Sequence, residues 1–142
     1  MMKAKWILIL VSLFLINCNI GDASKEDCST VSCLEMGYSI ELISKDSEAN
    51  WIIEKVYTEE DIQVLNAEEE IVPFSLHNGN IWIPASNSNH GMHTLIVDEL
   101  EIPYSYDFTE PDGSCCDFGD LKDVIVPNNE FKVSDFQLEI FL

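Results

Sequence analysis

Large apolar and polar residues alternate without interruption from Leu100 to Phe108. Side chains of a β-strand point to opposite faces with a period of two, whereas a helix would scatter these apolar positions around its surface. The segment is therefore predicted to be a strand with one buried face. The apolar residues of that face are Leu100, Ile102, Tyr104, Tyr106 and Phe108.

Shorter segments with the same period, or rich in β-branched and aromatic residues, occur along most of the chain. These segments predict strands within 38–44, 51–57, 61–65, 71–76, 81–83, 93–97, 124–126 and 136–142. Asn78-Gly79 is the strongest hairpin signal, because glycine adopts positive φ at little cost. Pro73 has no N–H group to donate, so its strand is expected at a sheet edge or a bulge.

About seven to nine short strands with a turn signal roughly every ten residues are typical of an antiparallel β-sandwich. The expected kind is immunoglobulin-like or transthyretin-like, with one domain covering residues 28–142. No segment has a convincing helical period. The length of 142 residues and the 46% hydrophobic content fit one globular domain. The sequence thus predicts an all-β fold.

The N-terminal segment has the layout of a secretory signal peptide. Lys3 and Lys5 precede an almost wholly apolar run, Trp6 to Ile16. About 11 apolar residues are too few for a helix that must cross a hydrocarbon layer, which needs about 20. We therefore predict that residues 1–17 are removed on export and that residues 18–27 form a flexible polar tether.

The end of the apolar run, Leu15-Ile16-Asn17-Cys18, resembles a bacterial lipobox, whose cysteine is acylated before cleavage on its N-terminal side. Asn17 departs from the small residue that is usual at that position. One acyl chain binds a membrane only marginally, whereas a multiply acylated cysteine, for example one carrying palmitate, holds firmly. The resemblance implies an exported lipoprotein of the bacterial outer membrane that is attached through Cys18 and faces the periplasm or the surface.

Four further cysteines remain, which in an exported chain predicts disulfide bonds. They are Cys28, Cys33, Cys115 and Cys116. A bond between the adjacent Cys115 and Cys116 needs a strained ring. We therefore expect Cys28 and Cys33 each to pair with Cys115 or Cys116, and the exact connectivity stays open. A four-thiolate zinc site is the alternative. The cysteine pairs of such sites usually have two to four residues between them, whereas Cys115 and Cys116 are adjacent.

The charge of the chain is one-sided, with seven basic residues, all lysines, against 26 acidic ones, and a net charge of −19. Phosphate recognition needs clustered cations, so nucleic acid is not an expected partner. Removal of Lys3 and Lys5 with the signal peptide would leave five lysines against 26 acids, a net charge of −21. The membrane is therefore expected to be reached through lipid rather than through charge.

Candidate metal ligands are few. His90 and His93 are separated by two residues, Gly91 and Met92, and would suit a transition metal if a carboxylate joined them, but a chance pair of surface histidines is the expected explanation. The loop between 110 and 123 holds five acids that offer oxygen ligands of the kind Ca²⁺ prefers. They are Glu110, Asp112, Asp117, Asp120 and Asp123. The loop lacks the spacing of an EF-hand, so the sequence predicts no bound cofactor.

Trp51 and Trp82 are the remaining candidates for ligand contact. A flat apolar ring can stack on the face of a sugar if it is exposed, although tryptophan more often packs in the core of a sandwich. The chain has no G-x-S-x-G or H-E-x-x-H motif, and its cysteines are better explained as disulfides than as nucleophiles. An enzyme is therefore not the expected function.

The lipobox cysteine, the segments 28–33 and 57–66, and the pair Cys115-Cys116 together resemble small uncharacterised lipoproteins of the Bacteroidota. The resemblance implies an exported, acylated β-domain and brings no activity with it. The leading interpretation is a non-enzymatic, membrane-anchored binding or structural module of the cell envelope. A carbohydrate-binding lipoprotein that uses Trp51 or Trp82 is the second interpretation, and a metal-binding protein or metal-dependent enzyme is the third. A glycan or an envelope protein would be the partner.

Overall fold

The computed structural model describes residues 37–84, 91–110, 115–116 and 119–142. The predicted signal peptide, Cys18, the tether, Cys28 and Cys33 lie outside the described residues. The elements within the described ranges are β1 (Gly37–Ile43), α1 (Trp51–Lys55), β2 (Ile62–Leu65), β3 (Ser75–His77), β4 (Asn80–Pro84), β5 (Gly91–Val97), β6 (Leu100–Phe108), β7 (Leu121–Ile125), β8 (Glu130–Ser134) and β9 (Gln137–Phe141). A 3-10 turn, Glu59–Asp61, precedes β2.

These strands form two sheets, one of five strands in the order β3-β4-β1-β9-β8 and one of four in the order β2-β5-β6-β7. Neighbouring strands pair antiparallel except β1 and β9, which are parallel. Residues from both sheets join one hydrophobic core. The predicted all-β, sandwich-like fold is confirmed, and the parallel pair is the departure from a purely antiparallel arrangement.

The alternation in the sequence matches burial in the structure. In β6, Ile102, Tyr104 and Tyr106 are buried, while Leu100 and Phe108 at its ends are partly buried. In β1, β2, β4 and β9 every second residue is likewise buried, because each sheet has one face in the core and one in water. The residues between these buried positions therefore point outward, where a ligand can reach them.

The two ends of the sandwich differ in their connections. At the hairpin end, Asn78-Gly79 joins β3 to β4 and Asp98-Glu99 joins β5 to β6. Asn78 and Gly79 have φ of 50° and 78°, which confirms the predicted tight turn. At the cysteine end lie the start of β1, the end of β4, the start of β5 and the residues Cys115 and Cys116 between β6 and β7.

The strand predicted over residues 51–57 is wrong, because Trp51–Lys55 forms α1. The Asn50 side chain accepts a hydrogen bond from the Ile53 N–H at 3.1 Å and so caps the helix. One turn of helix buries Ile52 and exposes Ile53, and Val56 ends it in the left-handed region with φ of 62°. The cap and the burial of Ile52 therefore outweigh the strand propensity of the β-branched residues.

One other strand prediction is wrong, and one strand, β8, was not predicted. Residues 71–76 were expected to form one strand, but only Ser75–His77 do so, and Ile71 contributes a single bridge to Leu65. The segment after Asn129 forms two strands, β8 and β9, that turn at Asp135, whose φ is 48°. A turn of this kind has no Asn-Gly or Asp-Gly signal, so the sequence pattern did not reveal it.

Candidate functional site

The outer face of the five-stranded sheet carries a row of aligned polar side chains around one tryptophan. Strand register places Trp82 of β4 opposite Ser75 of β3 on one side and opposite Ser39 of β1 on the other. Ser39 is in turn opposite Gln137 of β9. We call this surface the Trp82 face and define it as Trp82, Ser39, Ser75, Gln137 and Glu41, the last being two residues after Ser39 on β1.

The tryptophan ring lies against a glycine of the neighbouring strand. A Cβ atom placed on Gly37 would come within 2.8 Å of two ring atoms, Cε2 and Cζ2, of Trp82. Trp82 is partly exposed, while its neighbours Ile81 and Ile83 are fully buried in the core. The absence of a side chain at Gly37 thus lets the ring rest on the sheet, and the exposed part of Trp82 is left for solvent or a ligand.

Glu41 is held in place by two amides. One carboxylate oxygen accepts a hydrogen bond from Asn50 Nδ2 at 3.2 Å, and the other accepts one from Gln137 Nε2 at 2.8 Å. Asn50 is itself fixed, because its Nδ2 also donates to the Gly79 carbonyl and its Oδ1 caps α1. An ionised carboxylate has about four acceptor sites, so Glu41 retains acceptor capacity for hydroxyl groups of a ligand.

A shallow depression of about 410 Å³ continues the same sheet surface beyond Glu41. It is lined by Ile43, Ser44, Lys45, Glu48, Glu139 and Phe141. Glu139 is opposite Glu41 in register and pairs with Lys132 at 3.6 Å. From Ser39 to Ile43 the strand rises about 13 Å, so the Trp82 face and the depression form one elongated surface.

Trp51, the other predicted stacking residue, does not share this face. It lies on α1, is partly buried against the core and packs on Tyr57 with ring centroids 5.1 Å apart. The structure therefore assigns the two tryptophans different surroundings. Of the two, Trp82 has the polar, aligned neighbours that a binding surface needs.

His93 is a core residue, and its expected place on the surface is wrong. Its side chain is only 2% exposed and packs against both Tyr104 and Tyr106, with ring centroids 5.4 and 5.3 Å away. Nδ1 donates to the Gly91 carbonyl at 3.2 Å, and the buried Nε2 has no hydrogen-bond partner among the described residues. Burial lowers the pKa of His93, so the ring is neutral near pH 7.

The residues around His93 form a buried aromatic cluster, namely Tyr38, His93, Tyr104, Tyr106 and Phe108. The hydroxyl groups of Tyr38 and Tyr104 share a hydrogen bond of 2.9 Å. Burial raises the pKa of both tyrosines, which remain protonated. The period-two pattern predicts that Tyr38 and the tyrosines of β6 face inward, but it gave no sign that His93 would join them.

The remaining metal candidates are only partly described. His90, Asp112 and Asp117 lie outside the described residues. The Asp120 backbone N–H donates to Thr109 Oγ1 at 2.8 Å, and its carbonyl accepts from the Thr109 N–H, so this residue closes the ends of β6 and β7. Among the described residues no group of three or more His, Cys, Asp or Glu side chains is arranged to hold a metal ion.

Cys115 and Cys116 are both disulfide-bonded. Their pairing with Cys28 and Cys33 stays a prediction, because those two cysteines lie outside the described residues.

Within the described ranges, no helix has the length and apolar content that a membrane span requires. Comparison of the chain with protein-family models, with curated proteins and with solved structures gives no match.

Sequence reasoning found Trp82 but missed Glu41, Asn50 and Gln137. Glu41 lies between Ile40 and Leu42, so the alternation marks it as outward-facing. The contact to Gln137 depends on the parallel pairing of β1 with β9, about 100 residues apart in the chain. No local pattern carries that information, because strand pairing at such a separation is set by the whole fold.

Proposed function

We propose that the protein is a non-enzymatic binding module of the bacterial cell envelope, anchored through acylated Cys18, whose ligand is a carbohydrate lying on the Trp82 face. The signal-peptide pattern and the lipobox-like cysteine support the location. The residues of the Trp82 face support a carbohydrate as the class of ligand. The membrane anchor and the binding face are separate parts of the chain, so each is tested separately.

One observation carries the ligand class, namely a tryptophan that rests on a glycine and is surrounded by hydrogen-bonding side chains. Sugar rings present C–H groups on one side, and these pack on the electron-rich face of an indole. Their hydroxyl groups donate to fixed acceptors at the edge of the ring. Glu41, held by Asn50 and Gln137, is such an acceptor, and Ser39 and Ser75 add hydroxyl groups beside Trp82.

The shape of the face favours an extended glycan over a small metabolite. The surface is open and elongated, running from Trp82 past Glu41 to the depression at Phe141. Small-molecule sites are usually concave and enclose most of their ligand. The acidic residues Glu41 and Glu139 on this surface oppose anionic polysaccharides, so a neutral or amino sugar is the expected ligand.

The test is a glycan array with the purified full-length protein, followed by titration of the best glycan against variants. Trp82→Ala is expected to weaken binding about tenfold or more, because it removes both the apolar contact and the π face. Glu41→Gln is expected to weaken binding by a smaller factor. Trp51→Ala is the matched control, since it removes an indole that does not share the face, and it should leave the affinity unchanged.

The anchor is tested in the same material. Cys18→Ser protein is expected to lose the acyl mass, to leave the membrane fraction and to keep the glycan affinity of the unaltered protein. An array on which no glycan binds, or a loss of affinity that is equal for Trp82→Ala and Trp51→Ala, contradicts the carbohydrate proposal. Cys18→Ser protein that still partitions with membranes contradicts the anchor.

A further inference from the structure

A cleft of about 480 Å³ lies on the opposite side of the molecule, on the outer face of the four-stranded sheet. Its floor is formed by Leu65 of β2, Thr94 and Ile96 of β5, and Gln63. Its rim is formed by Asn66, Glu69, Ile71 and Glu101. We call it the Ile96 cleft. None of these residues belongs to the Trp82 face, so the cleft stands apart from the proposed carbohydrate site.

One rim of the cleft is a well-ordered loop. The buried Asn66 side chain accepts hydrogen bonds from the backbone N–H groups of Glu68 and Glu70 at 3.0 and 2.8 Å, and its Nδ2 donates to the Glu70 carboxylate. Glu69 sits at the tip with φ of 62°. The hydrogen bonds of Asn66 thus fix the backbone of the loop that carries Glu69, which lowers the entropy cost of ordering this loop on binding.

Apolar side chains are exposed in and beside this cleft. Ile71 on the rim is 71% exposed. Met92, 62% exposed, lies two residues before Thr94 on β5, and Ser105, its partner in register, is opposite Ile125, which is 58% exposed. Exposed apolar side chains are therefore present on the rim, on β5 and on β7, with Ser105 of β6 between the last two, and they reach beyond what one small molecule in the cleft would cover.

The charge of the cleft limits which class of partner can bind there. Glu69 and Glu101 line the cleft, and no lysine does so. A second copy of this chain would bring another net charge of −19 to the same face, so like charges oppose self-association. A partner that carries both positive charge and apolar side chains complements the glutamates of the cleft and the exposed apolar side chains beside it.

We propose that the Ile96 cleft binds a basic, extended segment of a partner protein. A lysine or arginine side chain of that segment lays its aliphatic stem on Leu65 and Ile96 and directs its charged group to Glu69 and Glu101. Neighbouring apolar side chains of the segment cover Ile71 and Met92. The module therefore has two faces, one for a carbohydrate and one for a protein.

The test is a titration of the ¹⁵N-labelled full-length protein in non-ionic detergent with a short capped peptide that alternates lysine with valine, followed by NMR. Backbone shifts are expected at Leu65, Thr94 and Ile96. Glu69→Gln and Glu101→Gln are each expected to weaken binding about two- to fivefold, as for exposed ion pairs. Ile71→Ser, at an exposed position that folding tolerates, is expected to weaken it about fivefold.

Glu130→Gln is the matched control, since it makes the same charge change at an exposed position of β8, in the other sheet. It should leave the affinity within about 20% of the original value, because distant surface charges are screened by salt. Equal losses for Glu130→Gln and Glu101→Gln, or shifts spread over all acidic surfaces, overturn the proposal in favour of non-specific attraction.

Three other results also overturn it. Equal binding by a peptide whose lysines are acetylated excludes the ion pairs, and equal binding by 1,5-diaminopentane alone makes the occupant a small amine. Self-association of the protein that Ile71→Ser abolishes makes the occupant a second copy. The glycan affinity should be unchanged in all cleft variants, so failure here is separate from failure of the carbohydrate proposal.

Discussion

At the hairpin end of the sandwich, β3 turns into β4 and β5 into β6 through two residues each. At the cysteine end β8 turns into β9 through two residues, but β4 and β5 are six residues apart and β6 and β7 twelve. The hairpin end is stabilised by local backbone geometry, with positive φ at Asn78, Gly79 and Asp98. The cysteine end is stabilised by side chains from distant parts of the chain, which pack in the aromatic cluster. The Asn78-Gly79 turn can be read from a short sequence pattern, whereas the turn at Asp135 and the aromatic cluster cannot.

The largest effect is expected at the cysteine end, from Tyr104→Ala. Tyr104 is 1% exposed and contacts His93, Tyr106 and Tyr38. The free energy of unfolding should fall by about 3–5 kcal/mol, as for other large aromatic residues truncated in a core. Urea denaturation followed by fluorescence measures it. Tyr104→Phe, which removes only the hydroxyl bond to Tyr38, should cost about 1 kcal/mol. A loss below about 1 kcal/mol for Tyr104→Ala would show that the cluster does not stabilise this end.

A smaller effect is expected at the hairpin end, from Gly79→Ala. Gly79 has φ of 78°, and a Cβ there would collide with the Asn50 side chain that caps α1. The free energy of unfolding should fall by about 1–3 kcal/mol, because the substitution combines backbone strain with that collision. Asn78→Asp is the control in the same turn, since aspartate tolerates positive φ, and it should stay within about 0.5 kcal/mol of the original protein. Equal losses for the two variants would mean that the turn tolerates neither change.

The smallest effect is a pH dependence that only the cysteine end should show. Burial lowers the pKa of His93, while the Gly91 carbonyl and the charge of Glu68 partly oppose that shift. The unfolded chain therefore binds more protons than the folded one below the ordinary histidine pKa of about 6.5. Stability contributed by neutral His93 is present above about pH 6.5 and is lost as the pH falls toward the lowered pKa of the folded state.

His93→Phe keeps an aromatic ring against Tyr104 and Tyr106 and cannot be protonated. The difference in unfolding free energy between the original protein and this variant should be constant above about pH 7 and should shift against the original protein as the pH falls below about 6.5. Taking the difference cancels the titration of the many carboxylates. A difference that does not change with pH would show that His93 is hydrated in solution.

The sequence predicted the residues of the sandwich that face inward, because period-two alternation follows directly from strand geometry. It failed over Trp51–Lys55, where a single capping residue, Asn50, and one buried side chain decided in favour of helix. The sequence identified Trp82 as a candidate, but it did not reveal that Glu41 is hydrogen-bonded to Gln137. That partnership, like the burial of His93 beside Tyr104, arises from pairing between segments distant in the chain.

The parallel pairing of β1 with β9 has a consequence for how the molecule is made. β1 lies in the middle of the five-stranded sheet, between β4 and β9, so its second edge stays unpaired until a segment about 100 residues later has been synthesised. Closing so large a loop is entropically costly and slow. A nascent chain that has been synthesised only as far as β7 therefore leaves one edge of β1 unpaired. The five-stranded sheet is completed only when β9 has been synthesised.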